Sequence, residues 1–260
     1  MLIGIGLYIS IQFGAVVALI TMVSFAGAEF ETSDIGDIFE KSVAIAEYAD
    51  ERLIAATKST TLPDPPTILA DLTTLKLSLA SGIVAQAVLI ALIIVISRQP
   101  TGQLLHRLQL TSYRPLTMWR APVAAFGCYV MVFTYAVIVK ALGLGPLEPQ
   151  STVPFEIVRD PLAIGLTGVA AVVGAPLTEE LFFRGLVFGG LLRWGFWPAA
   201  VLSGALFSSV HLDLGSLIPF FIIGVVMAWL FWRRGNLWES ISFHVCFNLT
   251  SFLLLLATEV

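Results

Sequence analysis

Residues 178–185 read Thr-Glu-Glu-Leu-Phe-Phe-Arg-Gly inside a long apolar segment. Glu179, Glu180 and Arg184 thus place two carboxylates and a guanidinium in lipid-like sequence. On insertion scales each such side chain costs about 2.5 to 3.5 kcal/mol at bilayer depth, so a cluster of them points to a functional site. Other apolar segments carry His211, which closes Phe207-Ser-Ser-Val-His, and the pair His244 and Asn248 in His-Val-Cys-Phe-Asn. Of the three histidines in the chain, two stand in these segments.

Helical spacing sorts these groups. Glu180 and Arg184, Phe207 and His211, and His244 and Asn248 are each i, i+4 pairs, so each pair shares a helix face. Glu179 projects about 100° round the helix from Glu180. A carboxylate beside a histidine in a water-filled cavity can activate water as a general base. A histidine and an Asn amide can donate hydrogen bonds to a carbonyl oxygen that becomes negative, at about 3 to 4 kcal/mol per donor. Such a set is suited to hydrolysing an amide bond.

The elements that must position these groups are membrane spans. The 260 residues are 57% apolar and 12% charged, with a mean hydropathy of +0.91, which excludes an ordinary soluble domain. The sequence predicts an all-α, polytopic transmembrane bundle of seven to eight spans with a polar extramembrane loop after the first. Residues 1–28 form the first anchor; Ala26-Gly27-Ala28 resembles a signal-peptidase site, but no charged residue precedes an apolar run that is long for a signal peptide. Residues 29–76 form an acidic extramembrane segment holding ten of the eighteen acids, with Ile35, Phe39, Val43 and Ala46 at amphipathic spacing.

Residues 77–160 supply two further spans, 77–97 and 121–143, around a loop in which Arg98, Arg107, Arg114 and Arg120 occur without an acid. By the positive-inside rule that loop is cytoplasmic. Residues 161–260 hold the polar motifs. Here 161–194 is expected to cross once, kinked or broken at Pro176, followed by crossings at 196–212, 216–232 and 237–258. This scheme places Arg193, Arg233 and Arg234 inside; splitting the long segment would give eight crossings and worsen the charge bias. At about 1.5 Å per residue, Glu179 and His211 both lie roughly 20 Å from the loop that joins their helices, and His244 and Asn248 roughly 10 to 18 Å deep. The three motifs can therefore converge.

Glu179-Glu180-x-x-x-Arg184, Phe207-x-x-x-His211 and His244-x-x-x-Asn248, about thirty residues apart, resemble the three motifs of the CPBP family of intramembrane proteases. That family includes the type II CAAX prenyl endopeptidases and the Abi proteins. The resemblance covers roughly 161–258. It implies that Glu179 activates water, that His211 helps to hold the water, and that His244 and Asn248 form the oxyanion hole. Glu180 and Arg184 would then support the site as a buried pair. The family has been described both as metalloproteases and as metal-free glutamate enzymes. If zinc is bound, Glu179, His211 and His244 are its candidate ligands, although no HExxH helix is present and the ligands would come from three helices. No cofactor is required in the metal-free mechanism. The implied partners are the lipid bilayer and a membrane-embedded or lipidated peptide or protein, with no nucleic acid, and the expected location is the plasma membrane.

Other readings compete with an endopeptidase. Buried Glu and His groups also serve ion- or proton-coupled transporters, but these groups cluster near one depth, form no ladder across the bilayer, and accompany no inverted repeat. An inactive scaffold is a third reading. Glu180 with Arg184 alone would be a structural ion pair, and His211 alone a helix-end histidine. Asn248-Leu249-Thr250 matches a glycosylation sequon at a depth no glycosylating enzyme reaches. Gly185, Gly189 and Gly190 suggest close helix packing. Cys128 and Cys246 lie in apolar runs and suggest no disulfide.

Overall fold

A computed structural model describes Glu51, Ile54, Ala55, Lys58 and residues 72–257, apart from residues 112, 115–117, 150–156, 159 and 212. The predicted anchor 1–28 and nearly all of the acidic segment 29–76 lie outside the described residues. The described residues form an all-helical bundle without strands. Its elements are α1 (Leu72–Ser97), α2 (Thr101–Arg107), α3 (Arg120–Ala141), α4 (Pro161–Trp194), α5 (Phe196–Ser209), α6 (Leu217–Arg234) and α7 (Leu237–Ala257).

Five of these, α1, α3, α4, α6 and α7, are long and apolar enough to cross a membrane. Helix α5 differs from the predicted crossing of 196–212: it stops at Ser209 after 14 residues, about 21 Å against a hydrocarbon core of about 30 Å. The chain turns there because Asp213 accepts hydrogen bonds from the N–H groups of Gly215 and Ser216, at 3.0 and 3.1 Å.

Local chemistry sets the other ends. Asp160 caps α4 by accepting from Leu162 N and Ala163 N, and Pro161 follows at the first helical position. Lys76 of α1 also reaches Asp160, at 2.9 Å. Gly235, at φ 63°, ends α6 in the left-handed region, and the side chain of Asn236 then receives Trp238 N.

Helix α4 does not break at Pro176. It stays helical from Pro161 to Trp194 and widens to π-helical turns over Gly168–Gly174 and Glu180–Phe188. A proline removes an N–H and crowds the carbonyl four residues back, and π turns are one way a helix absorbs such a fault.

The core lies where α4, α5, α6 and α7 meet, around Phe183, Val187, Phe188, Ala200, Met227 and Phe243. Helices α5 and α6 cross at close range: a Cβ on Gly224 would stand 2.8 Å from the Cα of Gly204. Glycine is required at that crossing, and not at Gly185, Gly189 or Gly190. A Cβ on Gly185 would make an ordinary 3.5 Å contact with Leu108, and one on Gly190 would meet nothing.

Alternation of the helices collects Arg98, Arg107, Arg120, Arg193, Arg233 and Arg234 at one end of the bundle. The exposed rings of Trp119, Trp194, Trp197 and Trp232 lie at the same end, as an interfacial belt would. The loop after α2 is tied to α7 there, with Leu237 N donating to Leu108 O and Trp238 Nε1 to Leu110 O, both at 3.1 Å. Cys128 and Cys246 are free thiols.

Candidate active site

The adjacent carboxylates of α4 part company. Glu180 is fully buried, with Oε1 3.0 Å from Arg184 Nη1 and 3.0 Å from His244 Nδ1, while Ser240 Oγ donates to Oε2. Arg184 is equally buried. Its Nη1 is paired with Glu180 by distance without being aimed for a hydrogen bond, and its Nη2 donates to Gly224 O at 3.2 Å. The guanidinium lies 4.6 Å from the Phe207 ring centroid and 5.8 Å from that of Phe183, so aromatic faces complete its surroundings. Two buried charges with this many partners form a scaffold: removing one would strand the other, at about 3 to 5 kcal/mol.

Glu179 faces instead into a cavity of about 390 Å³ that His211, His244 and Asn248 also line. Its side chain is 20% exposed, and Oε2 has no hydrogen-bond partner among the described residues. His244 Nε2 stands 4.0 Å from that oxygen. The histidine is therefore held through Nδ1 by the buried carboxylate and offers Nε2 towards the cavity carboxylate.

His211 is fixed in a comparable way. Its Nδ1 lies 2.7 Å from the carbonyl of Phe207, and its ring packs against Phe207 and Phe220, with centroids at 4.8 and 4.5 Å. A carbonyl can only accept, so Nδ1 carries the proton and Nε2 is left as an acceptor in the neutral ring. Asn248 donates Nδ2 to Ala171 O at 2.7 Å, which leaves one amide N–H uncommitted by that bond.

All four proposed catalytic residues thus share one cavity, and the supporting pair sits behind it. Among the described residues, no group of three or more His, Cys, Asp and Glu is arranged to hold a metal ion. Glu179, His211 and His244 line the same space, and Nδ1 of each histidine is engaged, which leaves Nε2 as the nitrogen a metal could take; as placed, the three form no ligand cluster.

Sequence reasoning missed Ser240, Tyr129 and Glu239. Ser240, His244 and Asn248 stand at i, i+4 and i+8, so a polar stripe on one face of α7 was available as a signal. Tyr129 lines the cavity and donates to Phe247 O at 2.6 Å; nothing local in α3 marks it. Glu239 is 2% exposed at the start of α7, with Arg234 Nε 3.5 Å away.

Residues 161–250 match the family model described as "Type II CAAX prenyl endopeptidase Rce1-like". This is the resemblance carried by the three motifs. The Rce1-like stretch begins with α4 and ends just past Asn248, so it contains Glu179, Glu180, Arg184, His211, His244 and Asn248 but not Tyr129. Two curated bacterial proteins are also similar. One is the Bacillus subtilis protein named "Putative membrane peptidase YdiL", 27% identical over 107 residues, 41% of this chain and 43% of that protein. The other is "UPF0177 protein YxdF" of Lactococcus lactis, 35% identical over 75 residues, 28% of this chain and 41% of that protein. The chain spans little more than two fifths of the length of each of these relatives. No solved structure matches it.

Proposed function

We propose that the chain is an intramembrane endopeptidase that hydrolyses a peptide bond of a membrane-embedded or lipidated substrate. The observation that carries this reading is the single cavity that Glu179 lines together with His211, His244 and Asn248. The Rce1-like match over these residues supports it.

In this mechanism Glu179 takes a proton from water while His211 Nε2 accepts the water's other hydrogen and holds it. The oxygen attacks the scissile carbonyl, whose electrons move onto its oxygen. The uncommitted N–H of Asn248 donates to that oxyanion. His244 donates as well, from Nε2, when its ring carries both protons; with Nδ1 committed to Glu180, the singly protonated ring has only an acceptor there. Collapse breaks the C–N bond, and Glu179 returns its proton to the leaving amine. Glu180, Arg184 and Ser240 hold the ring of His244 and touch no substrate. No step passes through a metal.

The apolar walls contributed by Tyr129, Phe220, Phe247 and Leu255 suit an apolar side chain or a lipid. To test the reading, the full chain and its Glu179→Ala variant are reconstituted in liposomes with a transmembrane peptide and with a prenylated peptide. Cleavage is then read by mass spectrometry, with and without phenanthroline. The wild type is expected to cleave with or without the chelator, and the variant to lose cleavage. Equal cleavage by the variant would overturn the mechanism, and loss of wild-type cleavage in the chelator would restore a metal.

A further inference from the structure

The first π-helical stretch of α4 ends five residues before Glu179, and its carbonyls are not satisfied by α4 alone. Ala175 donates its N–H to Ala170 O and not to Ala171 O. The next donor along the π pattern would be residue 176, but Pro176 has no N–H. An unmatched backbone carbonyl in hydrocarbon costs several kcal/mol, so a donor from elsewhere is required. Asn248 supplies it to Ala171 O from α7 at 2.7 Å. From α1, Gln86 Nε2 donates to the neighbouring Ala170 O at 3.1 Å, using that oxygen's second lone pair. Gly174 leaves the room: a Cβ there would overlap Gln86 Oε1 and stand 2.8 Å from Gln86 Cδ.

We infer that Gln86 is a positioning residue for Glu179. Gln86 and Asn248 grip consecutive carbonyls from two different helices and hold the proline-loosened stretch in one register. A slip of one residue would turn the rest of α4 by about 100° and swing the Glu179 carboxylate out of the cavity. Gln86 does not line the cavity, so it acts through the helix. It also lies outside the Rce1-like stretch, which makes α1 a working part of the site. The inference rests on the reading of Glu179 as the base.

Two experiments test it on the full chain. In the first, Gln86→Met keeps the length of the side chain and removes the donor, while Gly174→Ala evicts the same amide by steric overlap. Each is expected to lower kcat roughly 10- to 100-fold with KM little changed, as small misplacements of a reacting group do. Because both break one contact, the double variant is expected to fall no further than the worse single one. Unchanged kcat in Gln86→Met, or a double-variant loss equal to the product of the two single losses, would overturn the inference. So would thermal unfolding that couples the two positions while kcat stays at the wild-type value, since the contact would then be structural only.

The second experiment needs no peptidase activity. With Cys128→Ser and Cys246→Ser, the thiol of a Glu179→Cys variant is alkylated by a small maleimide, with Gln86 intact or replaced by Met. A changed alkylation rate supports the inference, and an unchanged rate overturns it. If the wild type cleaves no peptide but this rate responds to Gln86, the endopeptidase reading fails while the register grip stands.

Discussion

Glu179 and Glu180, neighbours in sequence, address opposite nitrogens of one imidazole: Glu180 Oε1 lies 3.0 Å from Nδ1 of His244, and Glu179 Oε2 lies 4.0 Å from its Nε2. One carboxylate is sealed and the other opens on the cavity. Identical side chains are thereby set to different tasks by their surroundings.

Replacing Glu179 by Gln is therefore expected to remove activity and spare the fold. A lost general base lowers kcat roughly 10² to 10⁴-fold. Circular dichroism and the unfolding temperature of the variant should match those of the wild type, because Glu179 Oε2 has no hydrogen bond to lose.

The reverse holds for the sealed pair. Glu180→Ala strands the Arg184 charge and is expected to destabilise the protein by about 3 to 5 kcal/mol. Replacing both Glu180 and Arg184 by Met should restore part of that loss, since no buried charge is then left alone. Denaturant unfolding in detergent micelles checks the order: the double variant should be more stable than Glu180→Ala.

Gly224→Ala tests the α5–α6 crossing. The new Cβ would press on the Cα of Gly204 at 2.8 Å, and backbone cannot swing aside as a side-chain tip can. A loss of about 1 to 3 kcal/mol is expected, as in other overpacked cores. Arg184 donates to the carbonyl of Gly224, so the shift should also lower cleavage.

An acid limb of stability is expected from Asp160. The Lys76 ammonium hydrogen bond and then the Ala163 N–H hold its carboxyl below the ordinary value of 3.8. The unfolded chain would take up that proton near 3.8, and the folded protein only at lower pH. The carboxylate thus stabilises the fold fully above the unfolded value, and this contribution fades as pH falls through the folded one. Asp160→Asn should flatten the unfolding temperature between pH 5 and pH 3, relative to wild type, in scans across that range.

That these polar groups come together was legible because i, i+4 spacing and equal depth depend only on helical rise and turn. Glu180 meets Arg184, and the cavity gathers Glu179, His211, His244 and Asn248, as those two quantities require. The π turns around Pro176 were not legible, because their completion depends on Asn248 and Gln86, which are remote in sequence. The early end of α5 depends on Asp213 folding back onto Gly215 and Ser216, in a segment whose apolar run promised more helix. Glycine spacing misled at Gly185 because a motif on one helix does not say which partner comes close; Gly204 and Gly224 lie on different helices.

The 14 residues of α5 also set how far water must travel. From the arginine-bearing end the helix rises about 21 Å, so His211, just past its last turn, stands about 9 Å short of a 30 Å hydrocarbon boundary. A bilayer meeting so short a helix thins or dimples beside it. Thinning beside α5 would bring the surface opposite the arginines closer to His211, and water on that side would then have the shorter path to the cavity that His211 lines.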